Sequence, residues 1–291
     1  MPRSRSFVFY LFGFLVLLNV LAGIVALDLS NAQFLEVNFF DVGQGDSIFI
    51  ESPKGQQILI DGGPGSAILE KLAKEMPFWD RTIDLVILTH PERDHLAGLL
   101  EVLKRYKVEN ILWTGIVRDT QEFKEWERAI EGEKANIKIA QSGQKITMLS
   151  GKLYIEILYP FENLTGQEIK NSNNTSIVSR LVFNDNSFLF TGDIQKSAEK
   201  ELTENGKELN SDVLKISHHG GKTSSSNEFI EEVLPEIAVI SVGKGNSYGH
   251  PYQEVLDILG SYGIRVLRTD QQGDIKIISD GENYEVSNFQ N

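Results

Sequence analysis

The sequence has no cysteine. Disulfide frameworks, thiolate zinc sites, iron–sulfur clusters and cysteine nucleophiles are thereby excluded, and any metal must be held by nitrogen and oxygen. Basic charge is also scarce. Against 41 Asp and Glu stand 28 Lys and Arg, for a formal net charge of −13. Such a chain does not grip nucleic acid by bulk electrostatics, although an enzyme of this charge can still act on phosphate through bound metal ions. Low-complexity stretches and short repeats are absent. Histidine occurs five times in 291 residues, so the places where it falls carry information. The remaining composition, 41% hydrophobic and 24% charged, is that of a globular chain with a real core and argues against intrinsic disorder.

The longest apolar run lies at the start. Arg3 and Arg5 precede FVFYLFGFLVLLNVLAGIVAL, residues 7–27. As a helix these residues span about 31 Å, the thickness of a bilayer core. The bases before the run and the acids after it place the following chain outside the cytoplasm. An uncleaved anchor is favoured over a signal peptide, because the run exceeds a signal peptide's apolar region; Ser30-Asn31-Ala32 is the one candidate exit. If it is cleaved there, the product is secreted. Residues 28–33 read as a linker.

From Leu35 onward short β runs alternate with helical stretches. LEVNFFDV, DSIFIES and QQILIDG, joined by Gly-bearing turns, read as an antiparallel meander; DLVILTH, helices near 67–76 and 96–106, NILWTG and a charged helix at 121–134 follow. NIKIA, KITML, LYIEILYP, SIVSRLVF and SFLFTGD open a second, similar half, which ends with strands RVLRT and DIKIISD. Two such halves suggest two mixed sheets face to face with helices outside.

All five histidines follow an apolar strand or sit in a Gly-bearing loop, where α/β proteins place their sites. His90, Glu92, Asp94 and His95 form one four-donor loop, with imidazole and carboxylate suited to Zn²⁺, Mn²⁺ or iron. Asp193 closes the apolar strand SFLF, where it either bridges two cations or caps the next helix. His218 and His219 are adjacent. On an extended backbone they point opposite ways, so that one ligates metal while the other meets substrate. Gly220-Gly221-Lys222 and the hydroxyls of Thr223 to Ser226 make an anion pocket. A last loop offers Lys244, Asn246 and His250. A local strip of Lys215, Lys222, Lys244, Arg265 and Arg268 could offset the acidic charge.

With these residues in place, the sequence is similar to the metallo-β-lactamase superfamily over about 35–280. Its signature, His-x-His-x-Asp-His after a strand, is matched by His90, Asp94 and His95. Asp61 in LIDGG matches an Asp on an earlier strand, Asp193 the bridging Asp, and His218 the late His. More narrowly, DVGQGDS (41–47), NNTSIV, LKISHHGGKTSS and NSYGHP resemble the hydrolase domain of ComEC-type competence DNA-uptake proteins, which are proposed to degrade the non-transported DNA strand. The departures are Glu92, where the signature has its second His and the ComEC type commonly Asp, the lack of a His between 95 and 218, and Gly221 in place of a common Ser. They leave the first metal position poor in nitrogen, so that Mn²⁺ becomes as apt as Zn²⁺.

The resemblance implies an α/β fold, a four-layer αββα sandwich of two mixed β-sheets with outer helices, preceded by one transmembrane helix. Residues 1–33 would be anchor and linker, and 34–291 the hydrolase domain. Two divalent ions, Zn²⁺ or Mn²⁺, would be held by His90, Glu92, Asp94, His95, Asp193 and His218, with Asp61 orienting a ligand. Asp94, His219 and His250 are the expected catalytic residues; Lys222, Thr223, Ser225 and Asn246 would bind substrate. The expected activity is a phosphodiesterase or nuclease acting on DNA, single-stranded DNA being the candidate substrate. The alternatives are a metallohydrolase of another ester, lactone or thioester, and a membrane-tethered binding module with a degenerate site. One apolar span does not make a DNA channel, so a separate uptake channel is the expected partner.

Overall fold

The computed structural model describes residues 3–31, 34–148 and 151–288. Helix α1 (Arg3–Asn31) carries the apolar run; its stretch Phe7–Val25 has a mean hydropathy of 2.5 and is long and apolar enough to cross a membrane. The helix continues through residues 28–31 of the expected linker. Ala32 and Gln33, with the last residue of the candidate cleavage exit among them, lie outside the described residues.

The first sheet gathers β1 (Leu35–Phe39), β2 (Ile48–Glu51), β3 (Gln57–Ile60), β4 (Thr82–Ile87), β5 (Lys107–Trp113) and β6 (Asn136–Ile139). The expected meander is present, β1–β2–β3 pairing antiparallel. From β3 to β6 the strands are parallel, joined by α2 (Ala67–Glu75), α3 (Arg93–Leu103) and α4 (Gln121–Gly132). The second sheet holds β7 (Lys145–Met148), β8 (Leu153–Tyr159), β9 (Val178–Phe183), β10 (Asn186–Phe190), β11 (Val213–Lys215), β12 (Ile237–Ile240) and β13 (Arg265–Arg268). Here β10 to β13 are parallel, with α5 (Lys196–Glu204), α6 (Asn227–Val233) and α7 (Gln253–Ser261) between them. A short helix, α8 (Thr269–Gln272), then leads to β14 (Ile275–Ser279) and β15 (Tyr284–Asn288).

Two details differ from the reading by halves. NIKIA (β6) completes the first sheet instead of opening the second, and β14 returns to pair antiparallel with β1. Strand β15 falls outside the sequence reading, because its sequence is mostly polar. Tyr284 and Val286 turn inward, against the core between the sheets.

Strand periodicity explains the layers. In β2, Ile48 and Ile50 enter the core between the sheets while Phe49, between them, packs under the helices. One core therefore lies between the sheets, a second beneath α2–α4 with Leu72, Leu99 and Trp126, and a third beneath α5–α7 with Leu202, Phe229 and Leu259. Burial on both faces is why these strands read as continuous apolar runs. The chain folds as the expected αββα sandwich.

Helix α3 approaches the loop after β3 closely. A Cβ built on Gly98 would lie 1.8 Å from the carbonyl oxygen of Gly62, and one on Gly62 would lie 2.4 Å from the amide of Leu99. The backbones touch there, and Gly62 N–H donates to the carbonyl of His95 at 2.8 Å. Replacing Gly98 with Ala must push α3 outward. Overpacking of this kind costs about 1–3 kcal/mol, which a urea unfolding curve would show as a lower midpoint with an unchanged slope.

Candidate metal centre

In both sheets the parallel strands end on the same side of the molecule, the side where α/β proteins bind ligands. The loops after β3, β4, β10, β11 and β12 meet there. Asp61 follows β3. It accepts hydrogen bonds from the Thr89 amide (2.8 Å) and hydroxyl (2.6 Å) and from His95 Nδ1 (2.8 Å). His90 Nδ1 lies 3.0 Å from Thr89 Oγ1, and His219 Nδ1 donates to the carbonyl of Ser241 at 2.9 Å. Each ring is therefore held by Nδ1, which turns Nε2 inward.

The three inward nitrogens surround Asp193. Its Oδ2 lies 3.4 Å from His95 Nε2, 3.5 Å from His219 Nε2 and 4.0 Å from His90 Nε2. Asp94 Oδ2 closes the group, 3.4 Å from His219 Nε2 and 4.0 Å from His95 Nε2. One donor atom from each of Asp94, His95, Asp193 and His219 falls within 4.8 Å of the others. The capping alternative for Asp193 does not hold: Gln195 occupies the position before α5.

The set fits a divalent cation. The Nε2 atoms of His90, His95 and His219 and Oδ1 of Asp193 are buried without a hydrogen-bond partner. Orphaned buried polar atoms cost about 1–3 kcal/mol each, and imidazole with carboxylate is the donor chemistry of Zn²⁺ and Mn²⁺. Backbone strain gathers at the same place. Asp61, His218, His219 and Ser225 are non-glycine residues at φ 57°, 51°, 55° and 56°, a conformation that costs of order 1–3 kcal/mol per residue.

Several expected roles move. Both residues of the His218-His219 pair are left-handed, not extended, and it is His219 whose ring enters the carboxylate group. His218, expected as a ligand, lies at the rim, with Nδ1 3.2 Å from the Thr223 hydroxyl and Nε2 3.3 Å from the Asn173 amide nitrogen. Glu92, also expected as a ligand, is turned away: it pairs with Arg118 at 2.9 Å and accepts from the Ser172 hydroxyl. Asn246 spends its amide inside its own loop, on the carbonyls of Gly243 (3.1 Å) and His250 (2.8 Å) and on the His250 amide (3.0 Å). Ser225 is buried, its amide donating to Glu199. Lys222 and Thr223 are exposed beside His218 and His250, whose rings are 5.4 Å apart.

The expected basic strip does not form. Lys215 is 1% exposed; it pairs with Asp46, donates to the Gly192 carbonyl at 2.9 Å and lies 3.7 Å from Asp193 Oδ1. Arg268 is engaged by Asp270 at 2.7 Å. Asp46 itself has no role in the sequence reading. Its only signal there is its place in DVGQGDS, and that of Lys215 is a lysine inside an apolar strand.

Burial, with His95 beside it, pushes the His90 imidazole down to about 3. Burial acts the same way on His219, but Asp193 and Asp46 outweigh it and raise that ring to about 10. His95 is likewise raised well above its ordinary range, Asp193 and Asp61 overcoming its burial. Burial raises Asp61, more than His95 lowers it. At the rim, burial and then His219 and His218 push His250 down to about 4.

The comparisons agree with this architecture. A metallo-β-lactamase superfamily family model matches residues 40–244, and the chain belongs to that superfamily of metal-dependent hydrolases. Among curated proteins the chain is similar to ComE operon protein 3 of Bacillus subtilis, 33% identical over 83% of this chain and 32% of that protein. It is also similar to competence protein ComA of Neisseria gonorrhoeae, 32% identical over 81% of this chain and 31% of that protein. These relatives are competence proteins of the ComEC type, and the chain spans about a third of their length. Among solved structures, the metallo-β-lactamase fold protein YhfI of B. subtilis aligns at a TM-score of 0.55 with 14% identity, covering 84% of this chain and 99% of that one. The metallo hydrolase Igni18 of Ignicoccus hospitalis aligns at 0.54 with 16% identity, covering 84% and 98%. At such identities these two speak for the fold alone.

Proposed function

We propose that the chain is a membrane-tethered, metal-dependent phosphodiesterase of nuclease type that acts on DNA. One observation carries this reading: three buried imidazoles with unpartnered Nε2 atoms converge on Asp193 and Asp94, below a rim that offers His218, His250, Lys222 and Thr223. DNA is favoured as substrate by the similarity to competence proteins. Tethering is favoured by α1, and Arg3 and Arg5 before it favour an extracytoplasmic sandwich.

Asp94, His95, Asp193 and His219 would hold a divalent ion, with His90 beside them. A bound ion of this kind supplies positive charge that lowers the pKa of a water and offsets charge developing on phosphorus. Of the two ions expected, one finds free donors among the described residues: Glu92 is committed to Arg118, and the second carboxylate–imidazole group, Asp46, Asp61 and His95, is engaged by Lys215 and Thr89; we therefore assign one tightly held Zn²⁺ or Mn²⁺. Asp61 and the Ser241 carbonyl fix the ring orientations on which that set depends. His250, neutral at pH 7, offers phosphate an N–H at the rim. An anion bound there would draw a proton onto the ring, ready for the leaving oxygen.

The full chain, stripped of metal and reloaded with Mn²⁺ or Zn²⁺, is assayed on 5′-labelled single-stranded DNA, a small phosphodiester, a lactone and a thioester. Metal-dependent DNA cleavage with close to one equivalent of tightly bound ion is expected. A protein that retains no ion, or that turns over the lactone or thioester and leaves DNA intact, overturns the reading.

A further inference from the structure

The end of the sandwich opposite the metal centre carries an exposed aromatic pair. Phe78 and Trp79, in the loop between α2 and β4, are 80% and 68% exposed and meet edge to face at 4.8 Å between ring centroids. Soluble surfaces do not ordinarily display two adjacent large aromatics without a partner. We propose that this pair is a membrane-interface foot, which seats the sandwich on the bilayer crossed by α1 and turns the metal centre away from it. The proposal rests on the reading of α1 as a membrane span.

Strand register places the pair at the end where the chain enters the sandwich. Glu36, at the start of β1, is opposite Glu51 at the end of β2, which is opposite Gln57 at the start of β3. Gln57 in turn donates to Asp80, the residue after Trp79, at 3.0 Å. Phe34, 43% exposed, stands at the same end, next to β1. From Val25, where the most apolar stretch of α1 ends, six helical residues reach Asn31 and four more steps reach Leu35. The reach is at most about 23 Å, counting 1.5 Å per helical residue and about 3.5 Å per extended one. That end is therefore held near the headgroups whatever the path of the chain.

Charge points the same way. In a chain of net charge −13, the loops around the pair expose Lys54, Arg81, Lys104, Arg105 and Lys107, while Asp80 is engaged by Gln57 and the Thr82 amide and Arg81 lies over Tyr106. Lys104 and Lys107 each hold a glutamate, Glu101 and Glu109. Aromatic rings at headgroup depth flanked by bases are what an anionic bilayer surface retains. The metal centre lies at the far end of β4. From Thr82 to His90 is about 26 Å at roughly 3.3 Å per residue, so the mouth opens toward solvent.

Trp79 can be watched directly, because Trp113 and Trp126 are buried. The full chain is reconstituted into vesicles of three parts phosphatidylcholine to one part phosphatidylglycerol, with brominated or plain acyl chains. Emission is compared with that of a Trp79→Phe variant, and the difference isolates Trp79. The foot predicts that this difference falls roughly twofold or more in brominated vesicles and resists aqueous iodide, as interfacial tryptophan does. It also predicts that the Lys54→Glu, Arg105→Glu double variant loses most of the bromine effect. Carbonate extraction separates the two ways of failing. If the chain stays in the vesicles while Trp79 responds to iodide and ignores bromine, the foot is overturned and the anchor stands. If carbonate strips the chain from the vesicles, the anchor reading falls and the foot with it.

Discussion

Asp193→Ala is expected to abolish tight metal binding and to reduce hydrolysis by at least about a thousandfold. Asp193 is the residue that all three inward imidazoles approach, and its removal takes away both the shared carboxylate and the charge that holds His95 and His219 in place. A catalytic ion is worth several kcal/mol of transition-state charge, and each 1.36 kcal/mol is about tenfold in rate. Metal content by elemental analysis reads the first effect and DNA cleavage the second. Glu92→Gln is the control: with its carboxylate on Arg118 and Ser172, the variant keeps its metal content. A Glu92→Gln protein that lost its ion while Asp193→Ala kept it would reverse the assignment.

Lys215→Met should be the most destabilising single change in the sandwich. The ammonium is fully buried and shared among Asp46, the Gly192 carbonyl and Asp193. Burial works against its charge, but Asp46 and Asp193 outweigh it and raise the Lys215 ammonium above its usual range. Removing one member of a buried pair leaves the other charge stranded, at a cost of about 3–5 kcal/mol. For a sandwich of this size that lowers the melting temperature by roughly 6–20 °C, at about 2–4 °C per kcal/mol. The measurement is made on metal-free protein, so that a changed metal affinity does not enter. A shift under about 2 °C would mean that water reaches Asp46, contrary to its burial.

Which parts of the site were legible follows from what each depends on. That His90, His95, Asp193 and the histidine pair would meet was readable, because each follows an apolar run and parallel strands all end on one side. Asp61 was legible only through the resemblance to the superfamily, whose early Asp it matches. Whether His218 or His219 turns inward was not readable. It depends on two successive left-handed residues, whereas the rule for extended chains says only that the two rings diverge, and the resemblance pointed to His218. Glu92 looked like a ligand because its competitor, Arg118, is distant in sequence. Asn246 and Ser225 looked available because nothing in a loop's composition shows that its own backbone will use its polar groups. In the fold, strands set in apolar runs declared themselves; β15 did not, since its mostly polar sequence is held at the sheet edge by Tyr284 and Val286.

The return of β14 to the side of β1 ties the two termini of the sandwich together. Leu35 to Phe39 have a hydrogen-bonding neighbour on one side only until Ile275 to Ser279 are in place. Lys276 then bridges Glu36 and Glu75, at 2.8 and 2.7 Å, fastening the late strand to the first strand and to α2. No cut between the two sheets yields a self-sufficient half, and a chain shortened before Ile275 would present β1 as a bare, apolar edge inviting aggregation. The last strands are the clasp of the molecule, and synthesis delivers them after every residue of the metal centre.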